Sequence, residues 1–452
     1  MRKLLFILVI FMFTVNIQSQ EIGEGGVLLY NNSAANSASN EIKKTVLGHD
    51  SEDGELEEAE LEEDGKQKLK RIKNRAVEIG LINLDLGVAN NFISIADIFQ
   101  EKLVIDFKNF NRGFNLSVDL NLRPVFLNLN FKDKWGIGLD IANISVFGNV
   151  NISGNLLQFK KTESEGDKFG VGAAAFADVG IPAFFHVGKG HWEEREFKVK
   201  LRLAGYVALA YAVPEMKYTF RDAGQRGSLL EIAYGFKVYT PLSLETFDLS
   251  TLEIGKAFGM DFCAGLEYPL FSWIDVGIDF INIPIYPAGL NYYMEMRDKI
   301  SVDSGKININ DLINGNIPDD IYSFPTDFEF KYGKSDRISA FRPFKMLFNA
   351  KYRPFNTPLL TLVPMLGFSI NPYFVNVAMV EAGVKLVCDL GNFFIASFGI
   401  AYEDQMWKNS LDLVLNTRAF EFNLGASLQS QSFAQSWTGA GVRLRLGFKF
   451  GW

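Results

Sequence analysis

Nine cations fall on alternating positions of three short segments: Lys198, Lys200 and Arg202; Lys345, Lys351 and Arg353; Arg443, Arg445 and Lys449. Side chains two apart on a strand point the same way. Each set therefore lines one face, while Val199, Leu201 and Leu203, or Val442, Leu444 and Leu446, line the other. Rows of cations suit two kinds of chemistry. A water-lined wall of them holds an anionic head group such as a carboxylate or phosphate. Alternatively, Asp119, Asp140, Asp275, Asp279 and Glu381 pair with them and pin the shape of a polar interior. The sequence leaves both readings open.

Other reactive residues are sparse. His186 and His191 flank Gly188-Lys189-Gly190 beside Glu193 and Glu194, and this spot reads as a solvated loop. The chain has no Gly-x-Ser-x-Gly elbow, P-loop or zincin helix. Cys263 keeps phase with Asp261 and Gly265 on a polar face, and Cys388 with Leu386 and Leu390 on an apolar one, so no disulfide is expected. No catalytic residue, metal ligand or cofactor is expected, and the chain is not read as an enzyme.

The elements that must position these cations are strands. Phe114, Leu116, Val118, Leu120 and Leu122 alternate with Asn115, Ser117, Asp119, Asn121 and Arg123. Pro124 interrupts, and Leu127, Leu129 and Phe131 resume one residue out of phase. That slip predicts a turn or bulge, with a second strand starting after it. Further alternating runs start near Trp135, Gly170, Phe197, Ser228, Met260, Ile274, Phe341, Leu360, Phe374, Phe393, Leu411 and Phe420. With the final run, Val442 to Trp452, they make about 14 strands, with a range of about 12 to 16, each long enough to cross a bilayer at a tilt.

Composition agrees. Hydrophobic residues make up 48% and aromatics 14%, with 41 Phe, yet no later stretch is an uninterrupted apolar helix span: Leu359 to Val380 is broken by Pro364, Asn371, Pro372 and Asn376. The net charge of -8 argues against nucleic acid as a partner. Arg2 and Lys3, the apolar run Leu4 to Val15, and Gln18-Ser19-Gln20 have the layout of a cleaved secretory signal over residues 1–19. Residues 20–75 form a polar and charged leader, disordered or a solvated helix. It holds an acidic block from Glu52 to Asp64 followed by a basic one from Lys66 to Arg75.

An apolar face that meets lipid accepts any hydrophobe, while a lumen face carries Gly, Asn, Ser and charge. Rows such as Arg443, Arg445 and Lys449 are costly in a dry core and ordinary beside water. Trp135, Trp192, Trp273, Tyr292, Tyr293, Trp407, Trp437 and Trp452 near strand ends fit interface belts. Closing the sheet removes edges that lipid could not satisfy. The fold expected is all-β, a transmembrane antiparallel β-barrel over 111–452, preceded by a short N-terminal plug-like segment over 76–110.

Signal, leader, alternating strands and the closing Phe448, Phe450 and Trp452 resemble outer-membrane β-barrels of Gram-negative and spirochaete type. That resemblance implies an outer-membrane address, a C-terminal insertion signal in those three aromatics, outer-membrane lipid around the barrel and the barrel assembly machinery as a partner. The segment 87–106, with Asn90, Asn91, Ser94 and Asp97, is less strand-like. A short folded piece ahead of the strands is similar to the long-chain fatty-acid transporter family, in which it plugs the pore. Val88-Ala89-Asn90-Asn91 stands where that family carries Asn-Pro-Ala. The resemblance implies a channel or transporter for hydrophobic or amphipathic anionic solutes. The alternative is an adhesin or structural surface protein without transport, presenting loops such as 303–326.

Overall fold

In a computed structural model the alternating segments become one antiparallel sheet that closes on itself. The structure describes residues 75–90, 114–131, 134–152, 169–189, 196–222, 228–246, 249–303, 322–323, 330–372, 378–404, 406–417, 419–430, 432–437 and 441–452. Its strands are β1 (Val77–Asn90), β2 (Phe114–Phe131), β3 (Trp135–Ile152), β4 (Phe169–Lys189), β5 (Glu196–Asp222), β6 (Ser228–Thr240), β7 (Phe258–Phe271), β8 (Ile274–Tyr286) and β9 (Ala288–Asp303). There follow β10 (Tyr322–Ser323), β11 (Phe330–Ala340), β12 (Phe344–Tyr352), β13 (Leu360–Ile370), β14 (Ala378–Leu390), β15 (Phe394–Glu403), β16 (Met406–Asn416), β17 (Phe420–Ser430) and β18 (Gly441–Gly451).

The pairings trace a 14-strand ring. It runs β1-β2-β3-β4-β5-β7-β8-β12-β13-β14-β15-β16-β17-β18 and returns to β1. Closure lies in the Leu84↔Leu446 and Leu86↔Leu444 register, extended where Ala76 N–H donates to the Trp452 carbonyl at 2.8 Å. Above part of this ring the wall has a second tier. The outer half of β5 leaves β7 and pairs with β6, β6 with β9, and β9 with β11. β8 runs on into β9 through Pro287, and β11 into β12 through Phe341-Arg342-Pro343. At one end of the wall, the described connections at 271–274 and 390–394 are tight turns.

The side chains are sorted inside out. Leu366, Val380, Leu411 and Leu444 are 51–63% exposed on the outside, while Lys351 and Arg443 are at most 3% exposed on the inside. Water-soluble folds bury their apolar atoms and solvate their charges. This arrangement suits a barrel with lipid around it and a polar interior. Among the described residues no helix is long and apolar enough to cross a membrane, which does not bear on strands.

Three expectations change. Pro124 does not end a strand, because β2 runs through it. The phase slip is shared by its neighbours, with Ile82 on β1 and Ala142 on β3 both at positive φ, 54° and 55°, so all three strands change face together. Asn121, Arg123, Phe126 and Asn128 thereby stay inside. Phe126 lies over Gly80, where any side chain would collide with its ring. Second, the barrel does not begin at 111. Val77–Asn90, placed in the plug-like segment, is wall strand β1, and its inward Glu78, Gly80, Asp85 and Gly87 have the same polar and small character as the other lumen faces. Asn90 ends that strand, and Asn91, Ser94 and Asp97 lie outside the described residues. Third, Arg75 is not part of a solvated leader. It is buried at the tight-turn end, donating to Asn416 Oδ1 at 2.6 Å and the Thr417 carbonyl at 2.7 Å. Residues 1–74 lie outside the described residues, as do most of 303–326, although β9 runs through Asp303 and Tyr322–Ser323 pairs with it.

Candidate functional site: the charged lumen

Alternation sends all nine cations inward, and antiparallel register sets a carboxylate beside each row. On the β5 row, Lys200 Nζ lies 3.7 Å from Glu267 and 3.9 Å from Asp279, and Arg202 bonds Asp178 at 2.6 Å and Asp140 at 3.1 Å. Lys198 holds its ammonium 4.4 Å from the centre of the Phe184 ring, a cation–π distance. On β12, Lys345 meets Glu381 at 2.8 Å and Asp404 at 3.3 Å, and Lys351 meets Glu267 at 2.5 Å. Just beyond that strand, Arg353 meets Asp275 at 2.5 Å. On β18, Arg443 takes Asp85 at 2.6 and 2.8 Å, Arg445 takes Asp412 at 2.7 Å, and Lys449 takes Glu421 at 2.7 Å.

The wall is therefore charge-dense and locally balanced. A carboxylate or ammonium removed from water without a partner costs several kcal/mol, and Lys200, Arg202, Lys345, Lys351, Arg353, Arg443, Arg445 and Lys449 each find a carboxylate within a strand or two. Arg443 also reaches Asp119, so one guanidinium ties β18 to β1 and β2 across the closure. The expected counter-charges Asp119, Asp140, Asp275, Asp279 and Glu381 all lie on this face. Sequence reading missed Asp85, Asp178, Asp261, Glu267, Asp404, Asp412 and Glu421. Their alternation was visible, but which cation each meets depends on strands far apart in the chain.

Of the two readings kept open, the ion pairs favour the pinned interior over a bare cationic wall. His186 sits on β4 near Phe184, ring centres 6.2 Å apart, and His191 lies outside the described residues. Cys263 and Cys388 are free thiols. Among the described residues no cluster of three His, Cys, Asp or Glu could hold a metal ion.

Aromatics gather at both ends of the wall. At the tight-turn end Phe131 stacks on Trp135 with centres 4.0 Å apart, and Trp273 meets Phe271 at 5.3 Å and Tyr352 at 5.6 Å. Trp452 is exposed at this same end, while at the other Trp407 packs on Phe433 of the short helix Phe433–Ser436 at 4.9 Å and Trp437 is exposed. Tyr292 and Tyr293 belong to no rim. They sit on β9 in the upper tier, and Tyr293 packs on the interior apolar cluster.

No protein-family model and no curated protein matches the chain. Solved structures similar to it include the toluene transporter TodX of P. putida, at 10% identity and TM-score 0.43 over 84% of this chain and 91% of that one. Others are the toluene transporter TbuX of Ralstonia pickettii, at 7% identity and TM-score 0.41 over 84% and 90%, and a Pseudomonas aeruginosa FadL homologue, at 9% identity and TM-score 0.37 over 83% and 90%. The barrel stands on its own strand pairings, not on these likenesses.

Proposed function

We propose that this chain is an outer-membrane channel or transporter for small hydrophobic or amphipathic anionic solutes. One observation carries the reading: a closed 14-strand wall with hydrophobic side chains outside and paired charges inside. Lipid accepts such an exterior, and a polar interior can line a watery path through the wall. The balanced pairing favours solutes that are not strongly charged throughout, because a multiply charged solute would have to compete with partners already in place. Phe448, Phe450 and Trp452 would serve as the insertion signal read by the assembly machinery, with outer-membrane lipid around the wall.

The test is uptake of labelled benzoate into proteoliposomes, set against protein-free vesicles and against sucrose. Faster benzoate entry with little sucrose entry supports the reading. Benzoate entry equal to that of empty vesicles sinks it, and leaves the alternative of a surface or adhesive role, for which the second tier of wall would be the presenting part.

A further inference from the structure

The wall does not stay on its circle where the second tier begins. Arg342, at the β11–β12 junction, bonds Asp261 on β7 at 2.5 Å and also Asp178 on β4. β12 and β4 are four steps apart round the ring, by way of β8, β7 and β5. At ~4.8 Å per step the wall distance is ~19 Å, more than an arginine and an aspartate reach together. Tyr206, on the inner face of β5 and three steps away, donates its hydroxyl to the Ala340 carbonyl at 3.2 Å. The junction must therefore bend inward and cross part of the lumen.

Burial agrees with this bend. Ala288, Leu290 and Ala340 are fully covered and share one apolar cluster with Phe147, Phe176 and Tyr206, all of which face the interior. The Tyr206 ring occupies the space where Gly259 lacks a side chain, and the Arg342 guanidinium lies 5.2 Å from the centre of that ring. This is the one place among the described residues where apolar side chains of the lumen face form a buried cluster instead of facing charge or water. Ala288, Leu290 and Ala340, which flank the Pro287 and Phe341-Arg342-Pro343 junctions, together with the Arg342 guanidinium over Tyr206, supply what covers them.

We propose that this inward fold is the barrel's own constriction and that Arg342 is the pin that holds it shut. The proposal rests on the channel reading. Two aspartates hold one guanidinium in a fixed fork, a geometry a lysine cannot copy. Weakening that fork frees the junction to swing back toward the wall while the ring beneath it stays intact.

Single-channel recording in planar bilayers tests the idea with three proteins: the wild type, Arg342→Lys, and a chain with 288–340 removed so that Pro287 joins Phe341 between neighbouring strands β8 and β12. Each is first checked for a heat-dependent shift on gels. Arg342→Lys is expected to open several-fold more often than the wild type, and the deletion to conduct continuously. If all three insert and conduct alike, the constriction is refuted and the channel reading survives. If none conducts although the gel shift shows folded barrels, both fall. Should the deletion fail to fold, Arg342→Lys alone decides, since unchanged opening refutes the pin.

Discussion

Lys351 shows how the interior is built. It is fully buried, and its ammonium sits 2.5 Å from Glu267, which Lys200 approaches from the other side at 3.7 Å. Replacing such a lysine by an apolar residue leaves a buried carboxylate with weaker compensation. Lys351→Met is expected to destabilise the barrel by about 3 kcal/mol, read as a lower denaturant midpoint in detergent, whereas exchanging both partners for apolar residues costs less. The β18 row makes a functional prediction. Neutralising Arg443, Arg445 and Lys449 together uncovers Asp85, Asp412 and Glu421, and should shift ion preference toward cations in bilayer recordings. Unchanged preference would mean these charges act on shape alone. The nine cations were legible because alternation needs only neighbours in sequence. Asp178 and Asp261 were not, because what makes them matter is Arg342, 164 and 81 residues away.

Among elements, the strands of the lower ring were largely readable, and the second tier was not. β2 has a clean period of two, but β11 reads Phe-Lys-Tyr-Gly-Lys-Ser-Asp-Arg, with charge on both faces, since one edge and much of both surfaces meet water. Pro124 reads as a strand end because the sequence of one strand cannot reveal that its two neighbours slip with it. The upper tier carries a latch of its own. Glu253, ahead of the short helix Ile254–Ala257, accepts from Lys334 on β11 at 2.7 Å and from Asn291 on β9 at 2.8 Å. The Lys334 hydrogen bond holds the Glu253 carboxyl below its ordinary value of 4.5. A depressed carboxyl contributes stability above its unfolded value and loses it as pH falls through its folded one. As pH falls below 4.5, the protection factors of β9 amides 288–296, with the intrinsic pH dependence of exchange divided out, should therefore drop. Glu253→Gln should show the lower protection already at pH 7 and respond less to acid. Exchange that is equally slow in both proteins at pH 7 would remove the latch from the account. The effect is small, because the pair is largely in water.

For the whole molecule, the distribution of apolar and charged faces decides everything else. A 14-strand ring could be predicted from run lengths, while its closure by β1 could not, because the irregular stretch 87–106 draws the whole of 76–110 into a plug-like segment and Val77–Asn90 falls within it. The closure joins the two ends of the described chain, with Arg443 bridging Asp85 and Asp119 across it and Arg75 filling the adjoining end. The charge networks inside and the hydrophobes outside make one claim: the outer surface meets acyl chains.

The most direct test places nitroxide labels one at a time at Leu366, Val380 and Leu411, in protein with Cys263 and Cys388 replaced and reconstituted in lipid. Power-saturation spectra are then read with oxygen and with a water-soluble nickel chelate as relaxers. All three outward positions are expected to be open to oxygen and closed to the chelate. Relaxation by the chelate at those positions, with oxygen having little effect, would put water on the apolar face and contradict the barrel's membrane role.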